Sequence, residues 1–181
     1  MSTREEVEGT TRERLHASDS KVTDEVLESY LTTLLWSEAL NACDAEGNTS
    51  SITWEGTEYK DGTPLDDILD TSDLPDEVRE EAREDLCAFE RYCVETIGLN
   101  PFRFFDAGQV AHDFCLSRNG HGAGFFDDPY DVNAKGPNGT EEDFNLSDEL
   151  QAAAETFGTF GLSVWVNGEG DNAELKVESH S

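Results

Sequence analysis

Between His112 and Asp128 the chain reads HDFCLSRNGHGAGFFDD, which gathers two histidines, three aspartates, an arginine and three glycines within seventeen residues. His112 and His121 with Asp113 and Asp127 are of the types that exchange protons or hold a divalent ion, and Arg118 with Asn119 offers donors to a carboxylate or a peptide carbonyl. Spacing argues against the first two chemistries. No pair stands at the interval of a known metal motif such as HExxH, and no nucleophile sits on a strained strand-to-helix elbow. His112, Asp113, Arg118, Asn119, His121 and Asp127 are therefore candidate binding residues, with no metal set and no cofactor motif expected.

A tight hairpin is the element expected to position them. Phe114 and Leu116 would face one side of a strand and Cys115 and Ser117 the other, before the turn at Arg118-Asn119-Gly120-His121-Gly122. Asn-Gly is the strongest short hairpin signal, the glycines allow positive φ or close approach, and Phe125 and Phe126 start the return strand. Arg118, Asn119 and His121 would then stand at the tip, with His112 and Asp113 at the base. A purely structural account covers the same letters: a turn, core phenylalanines, and an Asp113–Arg118 ion pair.

Other segments supply the scaffold. Residues 1–20 are polar and without apolar period, and read as a disordered tail. Residues 21–181 read as one domain. Thr23 caps a first helix in which Val26, Leu27, Tyr30, Leu31, Leu34 and Leu35 recur at helical spacing, ending near Leu40. Residues 41–62 read as an insertion, with a short hairpin around Glu55-Gly56. With Asp73 or Ser72 as cap and Pro75 in its first turn, a second helix carries the stripe Val78, Ala82, Leu86, Phe89, Cys93 and Ile97, and Gly98 stops it. Pro101 to Phe105 suggests one helical turn. Asn145 or Ser147 opens a third helix through Leu150, Ala153, Ala154 and Phe157, closed by Gly158. GLSVWVN and AELKVE alternate as a final hairpin. The expected class is α+β, a small antiparallel sheet of hairpins packed on about three helices. Trp165 either marks a dimer edge or packs beneath the third helix, and the sequence leaves oligomeric state open.

Charge describes the surroundings. The chain holds 41 Asp and Glu against 12 Lys and Arg, a formal charge of −29, and only four of the cations are lysine. Ten of the twenty residues from Asp66 to Asp85 are acidic, and Glu80 with Glu84 and Glu81 with Asp85 form like-charge i,i+4 pairs that weaken a helix in dilute buffer. Molar salt shortens the Debye length to about 3 Å and screens such repulsion, so the composition resembles that of proteins from salt-accumulating halophilic archaea. Direct binding to phosphate backbones is not expected. Ten Phe, four Tyr and three Trp supply material for a folded core. The cysteines at 43, 87, 93 and 115 make no CxxC pair and read as reduced, mostly buried thiols. No apolar run reaches the length of a membrane span, and no secretion signal is read, so a cytoplasmic protein is expected.

The central motif also resembles a known signature. HDFCLSRNGHGAGFFDD is similar to the HDFWLTRNGHGAGFWD signature of a widespread family of small bacteriophage proteins. The likeness extends to YLTTLLWSE, to PLDDILDTSDLPDEVREEAREDLCAF and to LQAAAETFGTFGLSVWVNGEG, so that it covers about residues 25 to 178. Cys115 and Phe126 stand where the signature has tryptophan, Ser117 where it has threonine, and residues 41–62 look inserted. The resemblance implies a virus or provirus, here of a halophilic host, and implies no activity. The function expected first is that of a non-enzymatic viral accessory protein with a protein partner in the infected host. An acidic nucleic-acid mimic that inhibits a restriction-type enzyme is the second reading, and a His/Asp-dependent or metal-dependent enzyme the third.

Overall fold

A computed structural model of the chain describes residues 20–42, 50–127, 130, 145–168 and 173–181. The first helix, α1 (Asp24–Ser37), begins where Thr23 accepts the Val26 N–H, and Asp24 and Glu25 lie in its first turn. All six apolar residues of the expected stripe are buried. The helix stops at Ser37 rather than Leu40, because the following backbone turns extended to pair with the segment after the first hairpin. Leu40 and Gly62 lend their N–H groups to Thr63 O and Leu40 O, each at 2.8 Å, and Leu65 N–H reaches Glu38 O at 3.0 Å.

That hairpin joins β1 (Ser51–Trp54) to β2 (Thr57–Lys60). Its two turn residues, Glu55 at φ 47° and Gly56 at φ 78°, are both left-handed, as a two-residue turn between right-twisted strands requires. Ile52 and Tyr59 rest half-buried against the core.

Helix α2 (Asp76–Tyr92) continues into a π turn over Cys93–Ile97, and Gly98, at φ 84°, closes it by donating to Cys93 O at 2.9 Å. The predicted stripe is buried throughout. The expected caps are not used: Pro75 precedes the helix, while Ser72 and Asp73 belong to a separate 3-10 turn that Asp70 and Asp73 cap reciprocally. Arg79 and Arg83 of α2 pair with Glu28 and Asp24 of α1. Glu90, fully buried, accepts from Ser20 Oγ at 2.5 Å, Lys21 N–H at 2.9 Å and Asn100 Nδ2 at 2.7 Å, which fastens the start of the described chain to this helix. The rest of the expected N-terminal tail, residues 1–19, lies outside the described residues.

A short α3 (Pro101–Phe104) leads to α4 (Ala107–Arg118), then α5 (Leu146–Glu155), where Asn145 accepts the Ser147 N–H and Gly158 turns left-handed at φ 67°. Strands β3 (Gly161–Asn167) and β4 (Glu174–His180) complete the chain as an antiparallel pair with Val164 opposite Val177. The fold is α+β, with two separate two-stranded antiparallel sheets and five helices among the described residues, where about three were expected. The extra long helix is α4.

Aromatic rings close the core. Phe89 of α2 stacks on Phe114 of α4 at 4.3 Å between centroids, and Phe102, Phe125 and Phe157 surround it at 6.2, 5.8 and 6.0 Å. Leu162, Val164 and Val177 bury one face of the last hairpin, and the Ser179 hydroxyl donates to Glu81 of α2. Cys87, Cys93 and Cys115 are free thiols. Burial pushes the Cys115 thiol up to about 12 and raises Cys93 further, with Glu90 adding to the latter, so neither is poised as a thiolate.

Candidate functional site

The central motif is a helix followed by a loop folded back over it, not a hairpin. Asp106 caps α4 by accepting the Gln109 N–H at 2.8 Å, and Val110, Ala111 and every residue from Asp113 to Arg118 are buried. A helix enclosed on nearly all sides shows little apolar period, so the short F-C-L alternation imitates a strand. Asn-Gly also has a second use. Gly120, at φ 68°, donates to Ser117 O at 3.3 Å while His121 donates to Leu116 O at 3.2 Å, the two bonds of a Schellman helix end. The left-handed glycine that a hairpin turn would need here terminates a helix.

After that end the loop returns along α4 at very close range. Gly124 has φ 109°, and a Cβ there would lie 2.8 Å from Asp113 O and 3.1 Å from Ser117 N. Phe125 donates its N–H to Ser117 Oγ at 3.1 Å and drives its ring into the core, while Phe126 is 60% exposed. Phe125 thus meets its expected core role and Phe126 does not.

Of the six candidate residues, His112 and Asp113 meet, while Arg118 and Asn119 are committed to other parts of the fold. Arg118 is not at a tip. It lies buried beneath the end of α5, where Nε donates to Gly158 O at 2.9 Å and Nη2 to Phe157 O at 3.1 Å. Its Nη1 reaches Asp85 Oδ2 at 2.6 Å and Tyr30 Oη at 3.2 Å, and Phe114 and Phe160 flank the guanidinium at 5.3 Å. The expected Asp113–Arg118 ion pair is absent for that reason: each is committed elsewhere. Burial holds the Tyr30 phenol well above its ordinary range, so it stays neutral beside this cation. Asn119 brackets the next segment, accepting from Phe160 N–H at 2.7 Å and donating to Phe160 O at 3.1 Å. Both residues are scaffold.

Asp113 forms a second buried polar centre. It is 1% exposed; Oδ1 accepts from Gln109 Nε2 and His112 Nδ1, each at 2.9 Å, and Oδ2 from the Tyr130 hydroxyl. His112 Nδ1 faces that carboxylate, which leaves Nε2 as the ring nitrogen outside the contact. The His112 ring is half-exposed and stands 6.0 Å from the ring of Trp36, itself 47% exposed at the end of α1. His121 and Asp127 are exposed on the loop. His121 and His180 act on Glu38 through space, drawing its carboxyl down against a larger upward push from burial.

Two clefts, of about 360 and 240 Å³, lie against the β3–β4 hairpin, and none of the six candidates lines either. Among the described residues no group of three His, Cys, Asp or Glu is arranged to hold a metal ion. No helix among them is long and apolar enough to cross a membrane. Tyr130 and Trp36 complete the Asp113 centre but carried no sequence signal, being an isolated tyrosine and one aromatic in an apolar helix. No protein family, curated protein or solved structure matches the chain.

Proposed function

We propose that the chain is a non-enzymatic accessory protein of a virus of a salt-accumulating host, acting by binding a protein partner through the Trp36–His112 face. The observation that carries this reading is the exposure of Trp36 beside an imidazole whose orientation Asp113 fixes. Tryptophan held rigid at a surface dominates binding energy where it occurs in interfaces, because little side-chain freedom is lost on association. His112 Nε2, outside the Asp113 contact, adds a polar atom next to it. The −29 charge disfavours nucleic acid as the partner, and the commitment of Arg118 and Asn119 to other parts of the fold disfavours an enzyme. The viral setting rests on the likeness of HDFCLSRNGHGAGFFDD to the phage signature, and the host on the acidic, lysine-poor composition.

The test is affinity purification of the full chain from infected haloarchaeal cells in molar KCl, comparing wild type with Trp36→Ala and with Phe104→Ala as an exposed aromatic control. A stoichiometric protein partner lost at least tenfold with Trp36→Ala and retained with the control is expected. Retention in both variants, or a chain free of partner throughout infection, would overturn the reading.

Nucleic-acid mimicry has one specific support. Arg79 and Arg83 turn toward α1, which leaves Glu77, Glu80, Glu81 and Glu84 exposed along one stripe of α2. Displacement of DNA from a host nuclease in molar KCl, abolished when Glu77, Glu80 and Glu84 become Gln, would favour it over the Trp36 face.

A further inference from the structure

Among the described lysines and arginines, Arg79, Arg83, Arg118 and Lys176 each meet a carboxylate. The other four, Lys21, Lys60, Arg91 and Arg103, are exposed and make no ion pair, in a chain with 41 acids against 12 bases. Three of these four share one corner of the fold. Lys21 N–H and Asn100 Nδ2 bond the same oxygen, Glu90 Oε1, at 2.9 and 2.7 Å, so they lie less than about 6 Å apart. Arg91 follows Glu90 directly near the end of α2, and Arg103 stands one turn past Asn100, its N–H donating to Asn100 O at 3.1 Å. The fourth, Lys60, belongs to β2.

Local structure takes away the acids that the sequence puts within reach of these three. Asp24, three residues after Lys21, pairs with Arg83. Asp106, three residues after Arg103, accepts the Gln109 N–H as the cap of α4. Glu95 would neighbour Arg91 at i,i+4 in an α-helix, but the π turn that begins at Cys93 takes it out of that register. Glu90 itself is fully buried, its carboxylate occupied by Ser20 Oγ, Lys21 N–H and Asn100 Nδ2. Three neighbouring cations are thus left without a carboxylate where acids outnumber bases more than three to one.

We infer that the corner formed by Lys21, Arg91 and Arg103 docks a carboxylate-rich segment of another protein. Charge complementarity selects the occupant. Guanidinium groups hold carboxylates through paired, charge-assisted hydrogen bonds, and a short acidic segment meets the corner without lying along the rest of a −29 surface. A nucleic acid or an anionic bilayer would bring phosphates against that acidic surface as well. Lys21 precedes α1 whereas Trp36 stands near its end, about 18 Å of helix away, so the contact is separate from the Trp36–His112 face.

Fluorescence anisotropy of the full chain with a dye-labelled 12-residue peptide of Asp and Glu, in 2 M KCl, tests this. Saturable binding is expected, weakened at least tenfold when Arg91→Gln and Arg103→Gln are combined, partly recovered with lysine at both positions, and unchanged in Lys60→Gln and Trp36→Ala. Each variant is read with a circular dichroism spectrum matching wild type, which substitution of exposed side chains should preserve. A peptide that does not bind overturns the inference. So does equal weakening by Lys60→Gln, which marks a general effect of charge, or equal binding of a 12-nucleotide single strand, which marks a phosphate site. A double glutamine variant that melts at lower temperature yet holds the peptide as tightly as wild type also overturns it, since the arginines then only offset the buried Glu90 charge. A wild-type dimer that the same substitutions dissociate in sedimentation equilibrium overturns it too, the acidic segment then being the chain's own.

Discussion

Arg118 Nη1 and Asp85 Oδ2 meet at 2.6 Å across 33 residues of sequence, and the contact joins α4 to α2 where both reach the C-terminal end of α5. A residue whose type suggested ligand recognition is instead a three-way structural joint. Its donors satisfy the carbonyls of Phe157 and Gly158 just past the end of α5, a place that suits a cation beside a helix C-terminus.

Replacing Arg118 with Met should therefore unfold the protein before it disturbs any binding. The side chain is 2% exposed, so its loss strands two carbonyls, the Tyr30 hydroxyl and Asp85. Asp85 is 30% exposed and regains water, which places the expected loss near the lower end of the about 3–5 kcal/mol typical of a broken buried pair. Arg118→Lys should recover only part, since a point charge cannot serve the four acceptors at once. Denaturant unfolding measures both; a loss under about 1 kcal/mol for Met would contradict the joint.

Asp113 and Tyr130 should behave as a coupled pair. Tyr130→Phe removes the donor to a buried carboxylate oxygen and should cost about 1–3 kcal/mol. In a double-mutant cycle with Asp113→Asn, additive losses would show that the hydroxyl and carboxylate do not interact. Asp113→Leu has a different readout. It removes the oxygen that faces His112 Nδ1, so the nitrogen-15 NMR signals of the His112 ring should move relative to wild type.

Glu38 predicts an inverted pH effect. Burial holds its carboxyl above the ordinary value of 4.5, only partly opposed by His121 and His180. The folded chain therefore binds this proton more tightly than the unfolded chain, and charging Glu38 opposes folding. Its contribution is most favourable below pH 4.5 and is lost as pH rises through the raised folded value. Glu38→Gln should be more stable than wild type at pH 7, with the gap closing in acid; thermal melts across pH 4–8 read the difference, and a less stable variant at pH 7 would refute the assignment.

The sequence was informative where burial is one-sided. The stripe of α2, the Asn145 start of α5 and the β3–β4 alternation each expose one face and bury another, which is what a period records. It misled at α4, whose residues are enclosed on nearly every side and whose Asn-Gly end serves a helix as readily as a hairpin. Residue types marked Asp113 and His112 as chemically distinctive. Their partners Tyr130 and Trp36 arrive from 17 and 76 positions away through packing of the loop and of α1, and no local pattern encodes such distances.

The bond from Ser179 to Glu81 closes 98 residues of chain at the last strand. Joining elements so far apart in sequence makes folding slow relative to a helical bundle of equal size, and leaves the faces carrying Leu162, Val164 and Val177 unsheltered until the closure is made. That interval, rather than the finished fold, is when crowding by neighbouring chains does harm, so dilution during refolding should raise the yield.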